Sequence, residues 1–91
     1  MRGRVPPYTS AVPRLRLFAS AREAAGTGAD EVDGTTVGEV LDAARARYGE
    51  RFAEVLAGSN VWVNGEPADP DDTVGPDDEV AVLPPVSGGA T

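Results

Sequence analysis

Across residues 36–49 the chain carries a single long amphipathic period. Val37, Val40, Leu41, Ala44 and Tyr48 recur at helical spacing, and Glu39, Asp42, Arg45 and Arg47 occupy the opposite face. Thr36 followed three residues later by Glu39 forms a capping box, and Gly49 stands where a helix naturally stops. A helix with one apolar stripe must lie on another layer, and the rest of the chain offers only short pieces to build it. Leu15 and Leu17 alternate with Arg14 and Arg16 in the period of two of a half-buried strand over residues 14–19, with Pro13 at its edge. Residues 20–25 suit one helical turn, Gly26-Thr27-Gly28 a connection, and Asp30-Glu31-Val32 a short second strand ended by Asp33-Gly34.

Phe52, Val55 and Leu56 mark a further short helical segment ending at Gly58. Val61-Trp62-Val63 runs into Asn64-Gly65, the signature of a type I′ hairpin turn, and Pro67 restricts the returning strand to a short edge piece. Residues 69–78 combine Pro70, Gly75 and Pro76 with five Asp and read as loop, after which residues 79–83 form a final strand stopped by Pro84-Pro85. The order strand, strand, helix, strand pair, strand predicts an α+β domain: one mixed sheet of four to five strands covered by one main helix. The first and last strands, separated by a helical crossover, are expected to pair in parallel at its centre. At 91 residues this is one domain, divided into a disordered leader (1–13), the folded body (14–86) and a C-terminal tail (87–91).

The missing residue types restrict the chemistry. There is no Cys and no His, so thiolate chemistry, the commonest general base and the commonest metal ligand are all absent. Ser10, Ser20, Ser59 and Ser87 have no His or Lys to activate them, since every basic residue is Arg. An EF-hand loop counted from Asp69 needs Gly at its sixth position and Glu at its twelfth, where Val74 and Val80 stand, so no metal site is expected. Gly26-Thr27-Gly28 lacks the third glycine and the strand-to-long-helix setting of a dinucleotide loop. Residues 1–22 hold five Arg and no acid, whereas residues 23–91 hold three Arg and all fifteen acids. An acidic body disfavours nucleic acid and suits a basic protein partner. Residues 1–13 lack the apolar run of a signal peptide, and the expectation is a cytoplasmic protein that does not engage membranes.

The most informative segment is the end. Leu83-Pro84-Pro85-Val86-Ser87-Gly88-Gly89-Ala90-Thr91 leaves a strand through two stiff prolines and reaches two glycines. Leu83, Pro84, Pro85, Val86 and Ser87 are the candidate partner-docking segment, with plain strand termination as the other reading. Trp62 must point away from the face shared by Val61 and Val63. Packing in the core or at an edge is its expected role, and exposure at a partner surface the alternative.

On these residues the chain resembles the MoaD/ThiS family of ubiquitin-like sulfur carriers, and within it the MoaD branch, the small subunit of molybdopterin synthase. The resemblance spans roughly residues 14–89. It rests on Leu15-Arg16-Leu17-Phe18-Ala19-Ser20-Ala21-Arg22-Glu23, Thr36-Val37-Gly38-Glu39-Val40-Leu41, Val61-Trp62-Val63-Asn64-Gly65 and the run from Asp77 to Gly89. It implies a β-grasp fold and a protein that is itself the carried reagent. The Gly89 carboxylate would be adenylated, with ATP used by a ubiquitin-activating-like adenylyltransferase, and then converted to a thiocarboxylate with sulfur from a donor enzyme. Gly88 would let the extended end approach other active sites closely. The sulfur would pass to a pterin precursor on the larger catalytic subunit of molybdopterin synthase or on another sulfur-accepting synthase. The chain would therefore be a co-substrate and non-catalytic small subunit, binding no cofactor itself. The family acts through a terminal Gly-Gly, whereas here Ala90-Thr91 follow. Cleavage between Gly89 and Ala90, by a JAMM-type metalloprotease as in some relatives, is the implied maturation step. Alternatives are another recipient (cysteine, thiamine or a specialised metabolite), a ubiquitin-like modifier joined to a target lysine, a relative that no longer carries sulfur, or a binding module without covalent chemistry.

Overall fold

The structure, a computed structural model, describes residues 12–85. Eight elements follow in order: β1 (Arg14–Leu17), α1 (Ala19–Ala25), β2 (Ala29–Glu31), α2 (Val37–Tyr48), α3 (Glu50–Ala57), β3 (Asn60–Val63), β4 (Glu66–Pro67) and β5 (Glu79–Leu83). The strands form one sheet in the order β2-β1-β5-β3-β4, with β1 parallel to β5 and every other pair antiparallel. This is the β-grasp arrangement, and the first and last strands meet inside the sheet as the crossover argument requires.

Register decides which side chains are buried. Leu15 lies opposite Val80 and Leu17 opposite Val82, and all four are essentially inaccessible. Above them pack Val37, Val40 and Ala44 of α2 and Phe52 and Leu56 of α3, each large side chain contributing about 1.5–3 kcal/mol by leaving water. α2 is the main covering helix expected from the periodicity, and the short helical segment expected around Phe52 is α3. α3 is held to α2 by an edge-to-face contact between Tyr48 and Phe52, ring centroids 5.1 Å apart. α1 is longer than a single turn and buries Ala21. β2 begins one residue earlier than expected, and Val32 follows it as a buried side chain whose N–H donates to Pro13 O at 3.1 Å. Pro13 is itself buried, so the packed body begins at least one residue before β1.

The N-terminus of α2 explains the Asp-rich segment. A helix start leaves N–H groups without intrahelical partners. Here Val37 N donates to Asp72 O (2.9 Å), Gly38 N to Pro70 O (2.9 Å) and Glu39 N to Thr36 Oγ1 (3.1 Å). The loop carbonyls thus cap the helix, while Asp72 and Asp78 accept from Asp69 N and Gly75 N within the loop. The capping box is offset by one residue: the Glu39 carboxylate accepts from Thr35 N and Thr35 Oγ1, not from Thr36 N. These bonds hold Glu39 below the usual carboxylate range. Among the described residues no group of His, Cys, Asp or Glu is arranged to hold a metal ion, and no helix is long and apolar enough to cross a membrane.

Two positions give tests. The last turn of α2 is tied to β2 by Tyr48 Oη donating to Asp30 Oδ2, joined by Arg47 Nη1 at 2.8 Å. The Tyr48 hydroxyl, with Arg47, keeps Asp30 below its ordinary pKa, and burial pushes Tyr48 up to about 12. The folded state prefers ionised Asp30, so its contribution is complete above the ordinary carboxylate range of about pH 4 and is lost as pH falls through the depressed folded value. Tyr48→Phe should cost about 0.5–1 kcal/mol at neutral pH and shrink the stability lost on acidification, measured by urea titration at several pH values. Gly34 adopts φ 155°, and a Cβ there would lie 2.8 Å from both Val40 Cγ2 and Val40 N. Gly34→Ala should therefore cost about 2 kcal/mol or more, read as a drop in Tm.

Candidate functional site

β5 carries the chain toward its tail. Leu83 ends the strand, Pro84 is half-buried and Pro85 exposed. Val86, Ser87, Gly88, Gly89, Ala90 and Thr91 lie outside the described residues, as do residues 1–11 of the leader. The described part of the site is thus the surface from which the tail departs: the face of the sheet turned away from the helices.

Strand alternation builds this face. Arg14 and Arg16 of β1, Glu79, Ala81 and Leu83 of β5, and Asn60 and Trp62 of β3 all point to it, because their neighbours Leu15, Leu17, Val80 and Val82 point inward. Phe18 extends the row by one step, its N–H donating to Val82 O at 3.3 Å. Ala19, with φ 49°, then turns the chain sharply into α1. Phe18 and Trp62 are the large apolar side chains left exposed among the described residues, at 39% and 37%. Ala81 stands opposite both Trp62 and Arg16, and its small side chain leaves a depression of about 220 Å³ lined by Phe18, Trp62, Gly65, Glu79, Ala81 and Leu83. Leu83 therefore connects the depression to the outgoing tail.

The rim is ordered by charge. Arg16 Nη1 donates to Glu79 Oε2 at 3.1 Å while its guanidinium lies 5.6 Å from the centre of the Phe18 ring, a cation–π contact that orients the phenyl group. Beside it a second groove of about 430 Å³ is lined by Arg14, Arg16, Leu17, Phe18, Arg22, Gly28 and Ala29. On the other flank, Asn64 Nδ2 donates to Asp78 Oδ1 (2.8 Å) and Glu79 N donates to Asn64 Oδ1 (2.9 Å), so the hairpin turn is clamped to the start of β5. The Asn64 amide, followed by the Gly75 N–H, keeps Asp78 below its ordinary pKa. Asn64 at φ 52° and Gly65 at φ 86° have the paired positive angles of the type I′ turn expected from sequence. A larger depression of about 480 Å³ runs along Val37, Leu41, residues 59–62, Pro67, Ala68 and Pro70, and none of its lining side chains is ionisable.

This arrangement offers an apolar surface with charged flanks that can bind another protein. Of the sequence-identified docking residues, Leu83 joins the apolar face directly and Pro84-Pro85 continue from it. Trp62 was expected to pack in the core or at an edge, with exposure at a partner surface as the other reading, and it stands on the open face, because the core residues of all three helices pack on the opposite side of the sheet. Phe18 was not singled out. The signal was present in the row Arg14, Arg16, Phe18, where the period of two continues past the strand and ends on an aromatic residue. The acidic body suggested a basic partner, yet the groove flanking the open face is lined by Arg14, Arg16 and Arg22.

Comparison with known proteins agrees with the geometry. The small archaeal modifier protein SAMP1 from Haloferax volcanii superposes with a TM-score of 0.75 at 35% identity, covering 84% of this chain and 97% of that one. SAMP1 from Methanosarcina acetivorans gives 0.78 at 28% identity, over 88% and 98% of the two chains. A protein described as molybdopterin converting factor, subunit 1, from Pyrococcus furiosus gives 0.73 at 28% identity, over 85% and 100%. No curated protein matches. The ThiS family model matches residues 15–89, a span that runs from the first strand through the two glycines, and the chain accordingly belongs to the ThiS family, with its ubiquitin-like sulfur-carrier fold.

Proposed function

We propose that the chain is a sulfur carrier for molybdopterin biosynthesis whose reactive group is the Gly89 carboxylate. The observation that carries this reading is the delivery of Leu83-Pro84-Pro85 off an interior strand beside the exposed Phe18 and Trp62, with Gly88-Gly89 following at a short distance in sequence. A partner that grips the open face would have the diglycine within reach of its own active site. Removal of Ala90-Thr91 by a JAMM-type metalloprotease frees the Gly89 carboxylate. A carboxylate oxygen then attacks the α-phosphorus of ATP on an adenylyltransferase, expelling pyrophosphate, and a sulfur nucleophile supplied through a donor enzyme displaces AMP. The thiocarboxylate sulfur bonds to a pterin precursor held by a larger catalytic subunit, and water then cleaves the acyl–sulfur bond, leaving the sulfur on the precursor and an oxygen on Gly89, which returns to a carboxylate. The chain is a co-substrate in this scheme, consistent with small ThiS-type carriers being non-catalytic, and ATP-dependent activation puts the work in the cytoplasm.

Likeness to a molybdopterin converting factor subunit supports that recipient over cysteine, thiamine or a specialised metabolite. A second reading is favoured by the SAMP1 likeness: a modifier whose activated Gly89 is captured by a lysine amine. The two share the adenylate and differ in the nucleophile that resolves it.

Intact mass of the protein from its native host separates them. The carrier reading expects loss of Ala-Thr and replacement of one oxygen by sulfur, whereas a modifier gives higher-mass conjugates that survive denaturation. Full-length, unmodified chain alone under pathway-inducing conditions would count against both. Gly88→Val and deletion of Gly89 should abolish sulfur delivery with Tm unchanged. Trp62→Ala should change stability by less than about 1 kcal/mol, since the indole is exposed, yet weaken adenylyltransferase binding about tenfold or more as a central aromatic anchor. The sole tryptophan also reports the event, and its quenching by acrylamide should fall when the complex forms.

A further inference from the structure

The net charge of −7 gives the wrong sign for the surface that matters. Eight of the fifteen acids lie in the capping loop (Asp69, Asp71, Asp72, Asp77) and on the exposed sides of α2 and α3 (Glu39, Asp42, Glu50, Glu54). On the open face three arginines, Arg14, Arg16 and Arg22, meet two glutamates, Glu31 and Glu79. Arg16 is committed to Glu79. Arg14 and Arg22 are exposed and make no ion pair among the described residues, in contrast to Arg45 and Arg47, which pair with Asp42 and Asp30. The stem of Arg22 lies along Gly28, where an added Cβ would sit 3.4 Å from Arg22 Cδ and Nε. Its guanidinium is thereby held at the groove it shares with Arg14 and Phe18.

We infer that the partner surface receiving the open face is an apolar protein groove rimmed by carboxylates that pair with Arg14 and Arg22. Guanidinium groups suit carboxylates through paired N–H donors. Continuity of this cationic groove with Phe18 and the apolar depression argues for a protein surface over a free anion, because the same partner must cover an aromatic ring and satisfy the arginines. A polyanion such as nucleic acid would meet the acids on the flanking elements. The placement has a kinetic consequence: an acidic rim is repelled by most orientations of this molecule and attracted by one, so charge selects the docking pose.

The inference rests on the proposed activation by an adenylyltransferase and is tested with the chain ending at Gly89 and the ATP-using activating enzyme of the same organism. The readout is pyrophosphate exchange as a function of carrier concentration. The double variant Arg14→Glu/Arg22→Glu should raise KM about tenfold or more with kcat unchanged, because like charges then face each other at the rim. Arg51→Glu reverses an exposed arginine on α3 that makes no ion pair among the described residues and should leave KM within about twofold. Unchanged Tm in all variants keeps the comparison one of docking. An unchanged or lowered KM in the double variant would overturn the acidic rim, as would saturable binding of inorganic phosphate to the wild-type chain that the double variant loses. Absence of any exchange with the wild-type chain would instead remove the adenylation reading itself, and this inference with it.

Discussion

The parallel pairing of β1 with β5 is the constraint on which the rest of the molecule depends. It joins the beginning of the fold to its end, and the alternation of side chains along both strands then assigns every neighbour to a face. Leu15, Leu17, Val80 and Val82 are directed to the helices, and Arg14, Arg16, Glu79, Ala81 and Leu83 to the open side. A slip of one residue would exchange these sets, exposing four large apolar side chains and burying an ion pair, so register is specified by the core itself. Because β5 is an interior strand flanked by β1 and β3, its end is fixed from both sides. The direction in which the tail departs is therefore a property of the sheet and not of a loose terminus.

The acidic loop acquires its meaning from the same geometry. A parallel β1–β5 pair leaves a long connection to close, and α2 is its main element. The N-terminal donors of α2 are met by carbonyls at Pro70 and Asp72, and Val74 inserts into the core with its N–H donating to Thr35 O at 3.0 Å. Aspartates suit such a loop because their carboxylates accept nearby backbone N–H groups, as Asp72 and Asp78 do. Their concentration there adds to the acids on α2 and α3, whereas Arg14 and Arg16 stand on the open face of the sheet.

Much of this was legible in the residues. The cap at Thr36, the stripe of α2, the Asn64-Gly65 turn and the limits of β5 all rest on local chemistry that tertiary structure did not override. What was not legible depends on contacts between distant segments. α1 has no side-chain cap, since Phe18 occupies that position, and its alanines give a weak apolar period; its length comes from packing against α3 and from Gly26 closing its end at φ 81°. Glu39 bonding to Thr35 in place of Thr36 follows from the path by which the loop enters the helix. Trp62 meets the same limit: alternation turns it away from Val61 and Val63, but only the packing of the helices on the other face shows that nothing covers it. The role proposed for the diglycine, by contrast, rests on residue types alone, since Gly88 and Gly89 lie outside the described residues.

A chain whose proposed chemistry resides in a terminal carboxyl group has to place selectivity elsewhere. Glycine offers partners nothing to recognise beyond backbone, and the adenylate, the thiocarboxylate and an isopeptide product would all share the same tail. Discrimination among an activating enzyme, a synthase and a protein target must then come from the body, at the surface nearest the tail. Here that surface joins an apolar depression over Ala81, walled by Phe18 and Trp62, to a cationic groove on one flank. Members of one fold can thus serve different recipients by changing this face while leaving the core and the tail alone, because the residues of the two faces alternate along the same strands and substitution on one need not disturb the packing of the other.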